Sequence, residues 1–277
     1  MDRSQVQRVG VYVDASNIGM SGGFGLQYDI LREFACRGQG TAMRLNVYLA
    51  FDEEEAGRNP DYNRKARSFH AVLRDYGYKV IEKKVRRFRD EHGVVHTKSN
   101  ADLDMAVDAL MQSERLDYVL MATGDGDFVQ VVRALQSRGC RVEVVAFQNV
   151  SRDLRKEADY FTSGYIIPNL LRTEDDLFEE PAAWGEENSL VRGVCYMWNQ
   201  EKGFGFVRYM KHISRDMWIL DSRRDDSPYE TAFLHYSQLP ANLDPYYLPN
   251  REQIFEFRLV TNDKGLQAQD VKAVYHY

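Results

Sequence analysis

The sequence has few cysteines and no long apolar run. Cys36, Cys140 and Cys195 are odd in number and widely spaced among 277 residues, which argues against a disulfide framework or a cysteine-bound zinc site and is typical of reduced cytoplasmic thiols. No stretch approaches the roughly 20 apolar residues of a membrane-spanning helix. The N-terminal segment "MDRSQVQRVGVYVD" lacks an apolar signal core, so we expect a cytoplasmic protein without a membrane partner.

The sequence also lacks an excess of positive charge, with 36 Lys+Arg against 42 Asp+Glu and a net charge of -6. Seven of the acids lie in "EDDLFEEPAAWGEE", residues 174–187, a segment that has no basic residue and contains a proline. This composition indicates a linker. The flanking parts are close to neutral, so the total charge does not exclude nucleic acid. We place a first domain at 7–170, an acidic linker at 171–188 and a second domain at 189–277.

The first part alternates strand-like and helix-like patterns. Runs rich in β-branched and aromatic residues predict five strands, at 8–14, 43–51, 78–85, 116–123 and 140–147. Segments with helical spacing of apolar residues separate them, at 28–38, 60–77, 100–113 and 126–139. This alternation predicts an α/β domain with a mostly parallel sheet and helices on both faces.

The part after residue 188 has short strand patterns separated by Gly, Asn, Asp or Pro, and no convincing helix. The patterns lie at 190–199, 202–210, 230–239, 252–260 and 266–277. Five short strands in fewer than a hundred residues predict a small all-β, five-stranded barrel of the OB type.

Acidic side chains gather where the predicted strands of the first domain end. Asp14 ends the first strand pattern and Asn17 follows it, while Asp125 and Asp127 follow another strand and Asp102 lies at the start of a helix. In open parallel sheets, ligands bind beyond the carboxyl ends of the strands. Converging carboxylates without cysteine or clustered histidine suit a hard ion, Mg²⁺ or Mn²⁺. The alternative is that these aspartates only cap turns and helices.

Four segments of this part resemble the NYN domain, the LabA-like branch of the PIN-like nucleases: "VYVDASNIG", "KSNADLDMAVDAL", "MATGDGDFVQVVRALQSRG" and "LRKEADYF". The resemblance covers about residues 7–170 and implies a metal-dependent ribonuclease. By motif it implies metal-binding roles for Asp14, Asp102, Asp125 and Asp127, and a catalytic role for these four residues together with Asn17. The family segment Ser-Gly-Asp-Ser-Asp-Phe reads Thr-Gly-Asp-Gly-Asp-Phe here, so both acids remain.

A basic stretch, "KVIEKKVRRFRDEHGVVHTK", predicts a hairpin with its turn at Asp90–Gly93. Its second arm leads into the helix that carries Asp102. The candidate phosphate-binding residues are Lys84, Arg86, Arg87 and Lys98. The hairpin either grips a nucleic-acid backbone or is a charged edge that prevents aggregation.

Aromatic residues alternate along two predicted strands of the second part. Phe204 and Phe206 in "KGFGFV" share one strand face, as do Phe233 and His235 in "AFLHYS". Such rings provide a stacking platform for unpaired bases, unless they belong to the core. With "GVCYMWN" and "KGLQAQDV", these segments resemble a cold-shock domain, which implies binding of single-stranded RNA or DNA. The candidate residues are Lys202, Phe204, Phe206, Phe233, His235 and Trp198. The connection at 208–230 is longer than usual for that domain.

Two parts of different fold therefore point to nucleic acid. We expect a metal-dependent endoribonuclease that uses Mg²⁺ or Mn²⁺, with the second domain binding single-stranded RNA or single-stranded DNA. Two alternatives stay open: a non-catalytic RNA-binding regulator that keeps the nuclease fold, and a small-phosphoester hydrolase whose barrel binds proteins. Assembly as a homo-oligomer is also left open by the sequence.

Overall fold

The computed structural model describes residues 6–89, 95–98, 101–173, 182–263 and 265–276, with the backbone alone at 86–89, 95–98 and 275–276. The described chain divides into two compact units. The first unit comprises Met1–Phe24 and Gln39–Thr162, and the second comprises Gly25–Gly38 and Ser163–Tyr277. In the described residues, no helix combines the length and the apolar character needed to span a membrane. The domain boundaries at 170 and 188 stay a prediction, and 174–181 lies outside the described residues.

The first unit contains a six-stranded sheet and a separate two-stranded hairpin. The strands are β1 (Arg8–Asp14), β2 (Thr41–Phe51), β3 (Lys79–Lys84), β4 (Arg86–Arg89), β5 (Val95–Lys98), β6 (Tyr118–Ala122), β7 (Arg141–Ala146) and β8 (Tyr160–Ser163). The sheet order is β3-β2-β1-β6-β7-β8. Parallel pairing joins β3 to β2, β2 to β1, β1 to β6 and β6 to β7. The α/β prediction is confirmed.

Helices lie between these strands. They are α1 (Ala15–Met20), α3 (Glu53–Arg58), α4 (Pro60–Asp75), α5 (Ala101–Gln112), α6 (Val129–Ser137) and α7 (Arg152–Glu157), while α2 (Tyr28–Ala35) groups with the second unit. The central strand β1 is buried from Val9 to Asp14, as expected for a strand that neighbours cover on both faces. A core cluster with Met105, Val119, Phe128 and Leu135 holds α5 and α6 against the sheet. The helices thereby fix the strand ends that carry the aspartates.

The predicted basic hairpin is present in its two arms. Strand β4 pairs antiparallel with β5, so that Arg86 lies opposite Lys98 and Arg89 opposite Val95. The turn at 90–94 lies outside the described residues. Helix α5 begins at Ala101, shortly after β5 ends.

The second unit contains a closed five-stranded barrel. Its strands are β9 (Leu190–Asn199), β10 (Phe204–Met210), β11 (Tyr229–His235), β12 (Asn250–Asn262) and β13 (Gly265–His276), in the order β10-β11-β13-β12-β9. Among the described strand pairs of the barrel, β11 and β13 are parallel and the others are antiparallel. The inward side chains include Val207, Leu234, Phe255 and Phe257, all fully buried. The predicted five-stranded barrel is confirmed.

Gly205 is required by a close backbone approach inside the barrel. A Cβ atom at this position would lie 2.2 Å from the carbonyl oxygen of Met197 on β9. Real Cβ atoms do not come this close to backbone, so any side chain would push β9 and β10 apart.

We predict that Gly205→Ala lowers the free energy of unfolding of the second unit by at least about 1–3 kcal/mol, the usual cost of overpacking. All three tryptophans, Trp184, Trp198 and Trp218, lie in this unit, so tryptophan fluorescence during urea unfolding isolates its transition. Gly57→Ala in α3 is the control, because a Cβ there meets nothing within 4 Å. An unchanged fluorescence midpoint for Gly205→Ala would contradict this packing.

Candidate metal centre and nucleic-acid interface

Asp14 lies where β1 ends and α1 begins. Its Oδ1 accepts a hydrogen bond of 2.9 Å from the backbone N–H of Asn17, which caps α1. The side chain is held in a buried position and Asp14 is only 7% exposed. Capping therefore accounts for one oxygen of Asp14, but it does not explain why a carboxylate is placed in so buried a position, where a serine would also cap.

Asn17 links the ends of the two central strands. Its Oδ1 accepts a hydrogen bond of 2.8 Å from the backbone N–H of Gly124, directly after β6. Gly124 has little space, since a Cβ there would lie 3.2 Å from the Cα of Val150. Asn17 thus positions the loop that carries Asp125 against the end of β1. The sequence did not indicate this positioning role.

Asp125 caps the short 3₁₀ turn Gly126–Phe128 in front of α6. Its Oδ1 accepts a hydrogen bond of 3.0 Å from the backbone N–H of Asp127. The backbone N–H of Asp125 donates to Thr123 Oγ1 over 3.2 Å. Asp125 is half-buried, whereas the side chain of Asp127 is exposed. The two acids of the "GDGD" segment are therefore in different environments.

The electrostatics bring three of the predicted acids together. Burial raises the pKa of the Asp14 carboxyl, and the negative charges of Asp102 and Asp125 raise this pKa further. No Lys or Arg of the described residues forms a salt bridge with Asp14, Asp102, Asp125 or Asp127. We call Asp14, Asp102 and Asp125 the acidic edge. Asp127 does not act on Asp14 in this way.

The acidic edge suits a hard divalent ion in its chemistry. Its donors are carboxylate oxygens, with no thiolate or imidazole. Its negative charges repel one another, and among the described residues no cation is paired with them. Within the described residues, however, no group of three or more Asp, Glu, His or Cys side chains is arranged closely enough to hold an ion directly. Magnesium commonly keeps several waters between itself and the protein, so the donor set fits an ion held in part through water.

Two other acids of α5 already have partners. Asp104 pairs with Lys83 of β3. Asp108 accepts a hydrogen bond of 2.8 Å from the Tyr48 hydroxyl. These two acids connect α5 to the sheet. They leave Asp102, at the start of the helix, as the acid of α5 whose charge acts on Asp14.

Of the four basic candidates in the hairpin region, Lys84 is the one whose side chain is described. Lys84 Nζ forms a salt bridge of 2.9 Å with Glu53 Oε1, and both side chains are exposed. The side chains of Arg86, Arg87 and Lys98 lie outside the described residues. The phosphate-binding role of the hairpin stays a prediction.

On the barrel, an outward set of rings crosses β10 and β11. Phe204, Phe206, Phe233 and His235 are half-buried, while the residues that alternate with them point into the core. The ring centroid of Phe233 lies 5.5 Å from Phe204, 5.8 Å from Phe206 and 6.4 Å from His235. We call these four residues the aromatic face. Lys202 is exposed in the turn that precedes it.

Trp198 does not belong to the aromatic face, contrary to the expectation from the sequence. It is 9% exposed and packs in the barrel core, while its neighbour Met197 is 38% exposed. The register of β9 against β10 shifts between the partners of Phe206 and Val207. Such a bulge adds one residue and inverts the inward–outward alternation beyond it, so that Trp198 turns inward.

A cavity of about 240 Å³ adjoins the aromatic face. Phe233 and His235 form one wall, and polar side chains form the rest: Ser237, Gln238, Gln267 and Gln269. The His235 ring is held by Ser237, whose Oγ lies 2.9 Å from Nδ1. Sequence patterns did not single out these glutamines, since alternating polar residues on a strand are common.

The first unit is thus an α/β domain in which a parallel sheet gathers carboxylates at one edge. A family model, the NYN domain, matches residues 8–171, which is more than half of the chain. The chain belongs to the NYN domain family. This is a PIN-like nuclease family, so membership suggests nuclease activity and an RNA-related role, and such nucleases typically use divalent metals.

Two known proteins are similar to parts of the chain. Low amplitude and bright protein LabA of Synechococcus elongatus is 28% identical over 118 residues, which cover 42% of this chain and 61% of LabA. The chain therefore matches less than two thirds of that relative. A crystal structure of a protein of unknown function from Vibrio parahaemolyticus has a TM-score of 0.48 and 24% identity, over 59% of this chain and 96% of its own.

We predict that Asp14→Asn raises the thermal midpoint of the metal-free protein at pH 7. The pKa of the Asp14 carboxyl is higher in the folded protein than the 3.8 of a free aspartate. As the pH rises from 3.8 through the raised pKa, the ionising carboxylate therefore lowers the stability of the folded state. Asparagine keeps the cap, because it is as good an N-cap as aspartate, and it removes this charge. Circular dichroism melting in chelator measures the difference.

Asp127→Asn is the control for this measurement, since Asp127 is exposed and does not act on Asp14. Its midpoint should match that of the natural protein. A lower midpoint for Asp14→Asn than for the natural protein would show that the Asp14 charge is compensated rather than repelled.

Proposed function

We propose that this protein is a metal-dependent endoribonuclease that cuts single-stranded RNA, with the barrel binding the substrate as a cold-shock-like domain. The observation that carries the proposal is the acidic edge, where burial and two neighbouring carboxylates act on Asp14 and no described cation compensates them. Family membership supports a nuclease, and the free state of all three cysteines is in keeping with action in the reducing cytoplasm.

In this proposal Asp14, Asp102 and Asp125 hold Mg²⁺ or Mn²⁺, in part through water, and Asp127 completes the set from the exposed side. A bound divalent ion would supply a water of lowered pKa and stabilise charge that develops on the phosphate oxygens. Asn17 fixes the Asp125 loop through its hydrogen bond with Gly124. The basic hairpin, with Lys84, Arg86, Arg87 and Lys98, positions the phosphate backbone.

The aromatic face supports the second half of the proposal. Bases of any sequence can stack on exposed rings, and each stacked base contributes about 1–3 kcal/mol. Phe204, Phe206, Phe233 and His235 present such rings side by side, and Lys202 adds a positive charge nearby. Joining a binding domain to a nuclease raises the local concentration of substrate, so modest affinity in each is sufficient. Single-stranded DNA is a second ligand that the same rings could accept.

We predict that Asp125→Asn and Asp102→Asn each reduce metal-dependent RNA cleavage by at least about 100-fold, because each removes a charged donor from the metal site. The assay uses labelled single-stranded RNA with Mn²⁺, with Mg²⁺ and with chelator. Asp104→Asn is the matched control on the same helix, since Asp104 already pairs with Lys83. If no RNA in a varied panel is cut while the natural protein still binds RNA, the non-catalytic regulator replaces the nuclease.

We predict that Phe204→Ala combined with Phe206→Ala weakens RNA binding by about tenfold or more, because stacking of one to two bases is lost. Fluorescence anisotropy with a labelled oligonucleotide measures the affinity. Phe24→Ala is the control, since Phe24 is a strongly exposed ring outside the barrel. RNA cleavage should fall in the double variant while turnover of a small phosphodiester stays unchanged. Equal RNA cleavage by the double variant would favour the small-phosphoester hydrolase.

A further inference from the structure

The outer face of β10 continues beyond the aromatic face to an arginine. Arg208 follows Phe204 and Phe206 at alternate positions, and the buried residues Gly205 and Val207 lie between them. Arg208 therefore lies on the same outward side, about 7 Å along the strand from Phe206 at roughly 3.4 Å per residue.

Two tyrosines hold the Arg208 guanidinium in place. Its central carbon lies 5.2 Å from the ring centroid of Tyr196 on β9 and 5.4 Å from that of Tyr229 on β11. Its Nη1 donates to the carbonyl oxygen of Leu220 over 3.3 Å. The guanidinium is thus fixed between rings, with one donor engaged by a neutral carbonyl.

Arg208 has a second cation near it and no carboxylate partner among the described residues. Burial lowers the pKa of Arg208, and the positive charge of Arg251 at the start of β12 lowers it further, with no carboxylate among the causes. Among the described residues, neither Arg208 nor Arg251 has a salt-bridge partner. Two arginines that act on one another, with no salt-bridge partner among the described residues, favour the binding of an anion.

Two nearby arginines of the connection between β10 and β11, residues 211–228, differ from Arg208 because each is paired with an acid. Arg223 Nε and Nη2 each donate to Asp221 over 2.8 Å, and Arg224 binds Asp226 in the same way. Their charge is neutralised locally. The connection is tied to β10 through the Leu220 carbonyl that accepts from Arg208, and it is held together internally by Ser227, whose Oγ donates to the carbonyl of Ile219 over 2.8 Å. It therefore borders Arg208.

We propose that Arg208 and Arg251 bind a backbone phosphodiester of the single-stranded nucleic acid whose bases stack on the aromatic face. This inference rests on the proposed function of the barrel and extends it by a phosphate site. A guanidinium matches phosphate in its geometry and forms strong charge-assisted hydrogen bonds. The site makes binding dependent on strand length, because a strand must stack on Phe206 and continue to Arg208 to use both.

The test is the salt dependence of oligonucleotide binding by the full chain. With an RNA of about eight nucleotides, within the usual site size of such barrels, Arg208→Gln should weaken binding about five- to tenfold at low salt. The slope of log Kd against log salt should fall by about 0.7, the value for one phosphate contact on a single strand. Arg251→Gln should act in the same direction, and Arg208→Lys should restore the slope.

Arg223→Gln is the matched control, since its charge is already engaged by Asp221, and it should leave the slope unchanged. Inorganic phosphate at millimolar concentration should not compete, which separates a strand-borne phosphodiester from a free anion. Thermal melting of each variant, monitored through tryptophan fluorescence, reports whether the barrel remains folded.

An unchanged slope for Arg208→Gln, with or without weaker binding, overturns the phosphate site and leaves Arg208 as a structural tie to Leu220. If the Phe204→Ala, Phe206→Ala variant still loses binding in that case, the proposed function of the barrel stands. If the natural protein binds no oligonucleotide in the panel, the phosphate site and the proposed role of the barrel fail together.

Discussion

The hydrogen bond from the Gly124 N–H to the Asn17 side chain is the contact on which the acidic edge depends. It joins the end of β1 to the loop after β6, the two central strands of the sheet. Asp14 is itself the last residue of β1 and is paired with Tyr48 of β2, so this contact ties the loop that carries Asp125 to a fixed strand end. The parallel sheet places both strand ends on one edge, and this contact helps to fix their mutual position. The repulsion that raises the pKa of Asp14 is a consequence of that placement.

The barrel presents aromatic rings on its outer face and keeps a packed core at the same time. Strict alternation along β10 and β11 sends Val207 and Leu234 inward and the aromatic face outward. The bulge in β9 supplies the additional large side chain for the core by turning Trp198 inward. Tyr196 then remains near the outer surface, where it contacts Arg208. The bulge therefore shapes both the interior and the exterior of the same wall.

Much of this could be predicted from the sequence, because hydrophobic periodicity follows local backbone geometry. The five strands of the first part and the five of the barrel lie where their patterns indicated. Two of the acids expected near Asp14, Asp102 and Asp125, raise its pKa, while the role of these acids as a site stays a prediction. The short strand β8 and the helices α1, α3 and α7 are too brief for a periodic signal. The sequence placed Trp198 among the outward binding residues, whereas the structure places it in the core. A bulge depends on the register with the partner strand, and the pattern of a single strand does not reveal that register. The partners of Asp104 and Lys84 likewise lie far away along the chain.

The assignment of Gly25–Gly38 to the second unit has a consequence for how the chain acquires its structure. The polypeptide passes between the two units after Phe24, after Gly38 and after Thr162. Helix α2 leaves the ribosome early, yet the barrel strands of its unit are the last to be synthesised. During translation the segment 25–38, which contains α2, is made before the rest of its unit, which begins at Ser163. The second unit therefore cannot be complete before the barrel strands have been synthesised, although α2 is made before most of the first unit.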